Sequence, residues 1–389
     1  MCDSGYTLSF LPFLVCCVQL HRRFSMKGMT KLRMLALAGI IIAALAEPFI
    51  VHATESEETA LYPVSVYLQD SKRDLVYPSV ADSFLVYNEK GKNGFSVVRV
   101  PVDQPDLEGK RMDPTALNEV IRYGVAVQDG GIGYVSNRFG SISGWYWKGH
   151  GDAHVAIANM AVFRGGLVPA HLNSSGDGSV WCFDATYESV RHNEILNEFA
   201  KPTHFETLGQ SWRMYDSNFN RYKNSYVENK SGRKNRFDAP ALFVFNRSNS
   251  ELTMLPNAFG GAISPDGKRV VFVRDVGGNY DLWMQNMDGT DLVQLTNTDF
   301  GEYEPAFSPD GQHIAFISNR DSGGDVRRTS VYVMNVNNGE VKRITNTRSA
   351  SDGGPTWKNA HTIVFHSNRD VKKPQKSTSS DWNLWQVEI

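Results

Sequence analysis

The stretch AISPDGKRVVFVRD, from Ala262 to Asp275, returns as AFSPDGQHIAFISNRD from Ala306 to Asp321. A chain that repeats a phrase of this kind is confined to folds built by repetition. Ser-Pro-Asp-Gly encodes a tight turn, because proline presets φ, aspartate bonds the backbone just ahead of it and glycine accepts positive φ. Beyond the turn, Ile314, Phe316 and Ser318 face one way and Ala315, Ile317 and Asn319 the other, the period of a strand. The continuation is shared as well: DLWMQNMDGTDLVQLTN (Asp281 to Asn297) matches SVYVMNVNNGEVKRITN (Ser330 to Asn346) position for position. Each unit reads as strand, turn, strand, loop, strand, turn, strand.

The two SPDG turns lie 44 residues apart, within the roughly 40 to 50 residues of a four-stranded propeller blade. Sandwiches and barrels also hold many short strands but lack repeats of blade length. A third copy, PTWKNAHTIVFHSNRD (Pro355 to Asp370) followed by DWNLWQVEI (Asp381 to Ile389), stops after its third strand. Second strands ending in an SNRD-like element can be counted. They start at Val270, Ile314 and Ile363, and in weaker form at Ser83, Ile132 and Ser211 and in SVWCFDA after SSGDG (Ser174 to Gly178). The count predicts an all-β propeller of seven blades. If the region from Thr186 to Asp238 is one blade with insertions, the number is six. A propeller must close its ring, since an open edge invites aggregation, and the alternating LYPVSVYLQ (Leu61 to Gln69) is expected to supply the outer strand that the last unit lacks.

The chain is 41% apolar and 21% charged, values that exclude a disordered or collagenous chain. MLALAGIIIAALA (Met34 to Ala46), preceded by Lys27, Lys31 and Arg33 and followed by VHA (Val51 to Ala53), reads as a secretory signal. The apolar stretch ahead of it, Tyr6 to Leu20, follows Asp3 and no basic residue, so translation is expected to start at Met26 or Met29. Cleavage after Ala53 leaves Cys182 alone, without a disulfide partner. It also takes away five of 40 basic and two of 42 acidic residues, so that 35 minus 40 gives about −5, a balance without the basic run of a nucleic-acid binder. The expected organisation is therefore residues 1–53 as extension and signal, 54–70 as linker and ring-closing strand, and 71–389 as propeller.

These repeats resemble those of the TolB family, the periplasmic propeller proteins of the Tol–Pal envelope system. The shared phrase is P-x-F/W-S-P-D-G, a buried strand ending S-N-R-D, then D-L/I-W/Y-x-M/V-N-x-D/N-G and a final L/I-T. Pro305 to Thr345 carries nearly all of it, Val270 to Thr296 most, and Pro355 to Val387 carries it with KNAH in place of SPDG. The resemblance covers Ala262 to Ile389 and implies a propeller that binds a protein or envelope component in the periplasm. TolB itself has an α/β domain ahead of its propeller. Here only Thr54 to about Lys72 separates the signal from the first strand, so a TolB-like propeller protein is expected rather than TolB. Related repeats occur in propellers attached to peptidases, so the family fixes the fold better than the activity.

Propeller geometry places the short SPDG turns on one face and longer, dissimilar loops on the other, where recognition residues usually sit. Among those loops, Arg138, Arg320 and Arg369 recur at one place in their blades, with Asp321 and Asp370 beside two of them, and TDFGEYEP contributes Tyr303 and Glu304. The arginines either brace their own loops or ring the channel mouth and pair with a polar or acidic partner. Trp283, Tyr332 and Trp385 on third strands are expected to pack between blades. Gly140 to Gly144 reads G-S-I-S-G, with isoleucine where a hydrolase elbow needs its nucleophile. Cys182, between Trp181 and Phe183, reads as a core thiol. In GHGDAHVAI, His150, Asp152 and His154 would share one face of an extended strand, a candidate divalent-metal set. The expected function is an exported module that binds a protein or envelope component without catalysis or cofactor. The alternative is a metal-assisted lyase or hydrolase acting on a saccharide.

Overall fold

In the computed structural model, the described residues are 62–91, 94–115, 119, 121–138, 143–148, 154–157, 170–186, 240–249, 251–256, 258–276, 279–346, 349–374 and 378–389. The SPDG phrases fold as their chemistry dictates. Ser264 Oγ donates to Asp266 Oδ1 (2.6 Å) and accepts the Arg269 N–H (2.9 Å), while Asp266 Oδ1 accepts the Lys268 N–H (3.1 Å). The same three bonds recur at Ser308, Asp310, Gln312 and His313, and at Ser175, Asp177, Ser179 and Val180. SSGDG is thus the same turn with Gly176 in the proline's place. The closing L-T and I-T pairs have a similar explanation. Thr296 Oγ1 accepts the Leu282 N–H and Thr345 Oγ1 the Val331 N–H, both at 2.8 Å, which fastens the outer end of each blade to its third strand.

Among the described residues the strands form six four-stranded antiparallel sheets. The first blade comprises β2 (Asp74–Ala81), β3 (Phe84–Gly91), β4 (Gly94–Pro101) and β5 (Lys110–Met112). The second holds β6 (Ile121–Ala126), β7 (Ile132–Ser136), β8 (Ser143–Trp147) and β9 (His154–Ala156). The third holds β10 (Ala170–Ser174), β11 (Val180–Thr186), β12 (Pro240–Asn246) and β13 (Glu251–Pro256). The fourth is β14 (Ala258–Ile263), β15 (Arg269–Val276), β16 (Asn279–Asn286) and β17 (Val293–Gln294), and the fifth β18 (Glu302–Phe307), β19 (His313–Ser318), β20 (Ser330–Asn335) and β21 (Val341–Arg343). The sixth joins β22 (Asp352–Trp357), β23 (Thr362–Arg369) and β24 (Thr378–Glu388) to β1 (Val64–Leu68), which pairs with β24 from Val64↔Val387 to Leu68↔Leu384. The N-terminal strand therefore supplies the edge that the truncated last repeat lacks.

The seven-blade count is corrected to six. β11 and β12 pair directly, from Val180↔Asn246 to Thr186↔Pro240, so everything between them is an insertion within one blade. The SWRMYDSN stretch at Ser211, counted as a second strand, lies in that interval and outside the described residues. The core lies between blades, where Trp181, Trp385, Phe272, Phe316 and Phe365 are fully enclosed. Each such side chain contributes roughly 1.5–3 kcal/mol by burial. Tyr332 and Trp385 are buried as expected, and Trp283 packs at the edge of the cluster shared by the third and fourth blades. Cys182 is also buried, its thiol donating to the Gly261 carbonyl (3.3 Å), and burial pushes its pKa well up, as befits an unreactive core group.

Candidate functional site: the axial channel

All six innermost strands break register at the same place. The shifts fall between Val76 and Ser79, Arg122 and Val125, Ala170 and Asn173, Phe259 and Ala262, Tyr303 and Ala306, and Gly353 and Thr356. At each bulge the residue after the break is left-handed: Tyr77 (φ 51°), Tyr123 (54°), His171 (47°), Gly260 (57°), Glu304 (52°) and Gly354 (53°). A non-glycine residue there costs on the order of 1 kcal/mol or more, and four of the six blades bear that cost. The six residues line a central cavity of about 140 Å³.

The wall is asymmetric. Tyr77, Tyr123 and His171, on consecutive blades, form a mutually touching aromatic triad with centroids 6.0 Å (Tyr77–Tyr123), 5.2 Å (Tyr123–His171) and 6.4 Å (Tyr77–His171) apart. The other three blades place Glu304 between two glycines. Gly354 is obligatory, since a Cβ there would lie 2.8 Å from His366 Nδ1. At Gly260 the same atom would meet, among the described residues, only Val273 Cγ2, at 3.6 Å, so these residues leave the wall open beside the carboxylate.

A bulge frees backbone N–H groups from the ladder, and buried polar side chains accept them. His366 Nδ1 accepts the Tyr77 N–H (3.2 Å), and its ring meets Tyr77 edge-on at 5.2 Å. Burial pushes the His366 pKa down to about 3, so the ring is neutral and Nδ1 remains an acceptor. Asp184 accepts the Gly260 N–H at 2.8 and 3.0 Å and bonds His171 Nδ1 at 2.7 Å. Burial pushes its pKa up, opposed by His171. Glu304 Oε2 accepts the Gly354 N–H at 2.6 Å. Further bonds tie neighbouring blades at the channel wall: Ser79 Oγ accepts the Ala126 N–H (3.0 Å), Asn173 Oδ1 the Ile263 N–H (2.9 Å) and Thr356 Oγ1 the Val80 N–H (3.3 Å).

On the loop side of this ring, each recurring arginine reaches a carboxylate at the start of its own blade. Arg138 Nε bonds Glu119 (2.5 Å), Arg320 Nη2 bonds Glu302 (2.9 Å), and Arg369 pairs through Nε and Nη2 with Asp352. Arg320 is 8% exposed, and Arg369 and Asp352 are 0% exposed. Glu302 is so buried that its pKa is pushed up to about 7 despite Arg320 beside it.

Comparison with known proteins agrees with the repeat chemistry. No protein-family model matches the chain. A TolB homolog of Chlorobium chlorochromatii is 34% identical over 128 residues, 31% of this chain and 28% of that protein. The propeller is TolB-like. A dipeptidyl-peptidase 5 of Porphyromonas gingivalis is 39% identical over 72 residues, 17% of this chain and 10% of that protein. This chain thus spans about a quarter or less of these relatives. Among solved structures, TolB from Acinetobacter baumannii has a TM-score of 0.49 at 14% identity, covering 82% of this chain and 63% of that one.

The TolB-like propeller sorts the residues singled out in its sequence. Tyr303 and Glu304 lie at the channel. Arg320 and Arg369 are buried against Glu302 and Asp352 within their own blades. Asp321 pairs with Arg343 (2.7 Å), and Asp370 accepts the Lys372 N–H (2.7 Å) within its own loop. Of the metal candidates, His150 and Asp152 lie outside the described residues. His154 Nδ1 bonds Tyr134 OH (2.7 Å) and its ring stacks on Trp147. Among the described residues no helix is long and apolar enough to cross a membrane. Tyr77, Tyr123, His171, Asp184 and His366 were not anticipated. Pro78, Pro305 and Pro355, each directly after its left-handed residue, are the signal that could have aligned three of the six bulges.

Proposed function

We propose that this chain is an exported binding module whose recognition site is the axial channel and its loop-side mouth, and that its partner is a protein or another envelope component. One observation carries the reading. A ring that needed only to close could place glycine at all six left-handed positions, as it does at Gly260 and Gly354. Four blades instead hold Tyr, Tyr, His and Glu there, at a conformational cost, with their side chains on the channel. Strain of this kind, repeated at a cavity, is a mark of a ligand-binding wall. The TolB-like repeats and the unlike loops around the mouth support the same reading. The test is capture of a partner from envelope extract by the wild-type protein and by Gly260→Asn, which puts a side chain into the open part of the wall. Loss of capture with the fold intact supports the reading, and unchanged capture refutes it.

A further inference from the structure

We infer that the fourth blade binds a carboxylate group of an outside ligand at Arg274. The fifth and sixth blades each close their loop-side end with an internal pair of acid and arginine, and the fourth keeps an arginine without the acid. The strand registers align the three blades. Glu302 lies opposite Ser318 and Asp352 opposite Ser367, and Arg320 and Arg369 follow two residues beyond those serines. In the fourth blade Ala258 stands in the place of the acid, Arg274 in that of the serine and Val276 in that of the arginine. The cation is thus moved one step along the same face of the second strand, and the carboxylate that would neutralise it is gone.

The surroundings of Arg274 do not replace that carboxylate. Its Nε is enclosed and has no hydrogen-bond partner among the described residues. The guanidinium lies 5.2 Å from the Phe272 centroid and 5.0 Å from that of Trp283, contacts that orient the fork and leave its N–H groups unbonded. Asp281, opposite Arg274 on β16, turns instead to Asn279 Nδ2 (3.3 Å), Gln294 Nε2 (3.2 Å) and the Thr298 N–H (3.4 Å). Burial pushes the Arg274 pKa down and the Asp281 pKa up, the directions taken by two groups that do not relieve each other. A desolvated cation without a countercharge is costly. The side chain is only partly buried, so the outer edge of its guanidinium can receive an anion from solvent, and a planar fork selects the planar, bidentate carboxylate. Ala258 and Arg274 form the next rung beyond Phe259 and Val273, which line the channel. The inference therefore does not depend on the channel being the recognition site.

The experiment is a nitrogen-15 NMR titration of the full chain that follows the Arg274 Nε–H and the Trp283 indole N–H, each identified by its loss on substitution. The probes are N-acetylglutamate α-amide and glucuronate, against N-acetylglutamine amide and glucuronamide as neutral counterparts. At least one acid is expected to shift both resonances saturably, and the neutral amides are expected to shift neither. Tighter binding of the glutamate derivative points to an acidic protein segment, and tighter binding of glucuronate to an acidic sugar; either supports the inference. Arg274→Met, read at the Trp283 indole, should weaken acid binding at least about tenfold. Its melting temperature should match or exceed that of wild type, because an unpaired, partly buried cation is removed. Ala258→Glu restores the acid within the chain and should likewise weaken binding of the added acid about tenfold or more. If Ala258→Glu does not fold, Arg274→Met decides. Absence of a saturable shift with either acid, equal shifts with the neutral amides, or undiminished binding by Arg274→Met overturns the inference. Tighter binding of inorganic phosphate than of both acids overturns the assignment to a carboxylate.

Discussion

Removal of the Arg369 side chain should cost this propeller far more than a loop arginine normally would. Arg369 and Asp352 are both 0% exposed. Arg369 gives the carboxylate two charge-assisted bonds, and among the described residues only Thr345 Oγ1 (2.6 Å) adds a side-chain donor. In Arg369→Ala, Asp352 stays enclosed as an anion without its countercharge, and breaking a buried pair in this way costs about 3–5 kcal/mol. Large domains lose about 2 °C of melting temperature per kcal/mol, so the variant should melt roughly 6–10 °C lower by calorimetry at pH 7.5. The double variant Asp352→Leu/Arg369→Met removes both charges and should recover most of the loss. A melting temperature for Arg369→Ala within about 1 °C of wild type, or a double variant less stable than the single one, would refute the bracing role.

Two further outcomes follow from the same structure. Burial pushes the Glu302 pKa up from the ordinary glutamate range to about 7. The native state then binds a proton more tightly than the unfolded chain, and the associated stability is fully present below the unfolded value and lost as pH rises through about 7. Denaturant melts of wild type and Glu302→Gln between pH 5 and 8 should show this acid-side gain only in the wild type, and parallel curves would contradict it. Deletion of residues 62–68 should expose the β24 edge and remove buried Leu68, lowering stability by about 3–6 kcal/mol and promoting aggregation in light scattering. A truncated chain that stays monodisperse and melts normally would show that closure does not depend on β1.

The parts of the fold legible in the sequence were those written in local chemistry. Ser-Pro-Asp-Gly specifies its own hydrogen bonds, so the turns at Ser264 and Ser308 could be read directly, and the alternation after them placed the second strands. The final unit's missing strand was legible because strand edges have to be paired. The blade number was not, since it depends on β11 pairing with β12 across residues 187–239, a long-range fact that no local pattern records. The channel was hidden for a different reason. Its wall is made by a backbone conformation usually signalled by glycine, but Tyr77, Tyr123, His171 and Glu304 occupy it. Only the ring as a whole, with a buried acceptor such as His366 or Asp184 behind a freed amide, makes these residues equivalent. The recurring Arg369 stood out in the sequence, but its partner Asp352 lies 17 residues away on another strand, and so its burial did not.

The central claim, that the channel wall is where this protein recognises its partner, is tested most directly by the affinity of Gly260→Asn for the partner the wild type captures. Asparagine is among the residues that best tolerate the left-handed conformation, and a Cβ at this site lies 3.6 Å from Val273 Cγ2, so the variant should melt within about 2 °C of wild type. Its new side chain should fill the gap beside Glu304 and weaken partner binding at least about tenfold, a loss of about 1.4 kcal/mol. Unchanged affinity in a normally folded Gly260→Asn protein would contradict the claim and place recognition elsewhere on the propeller.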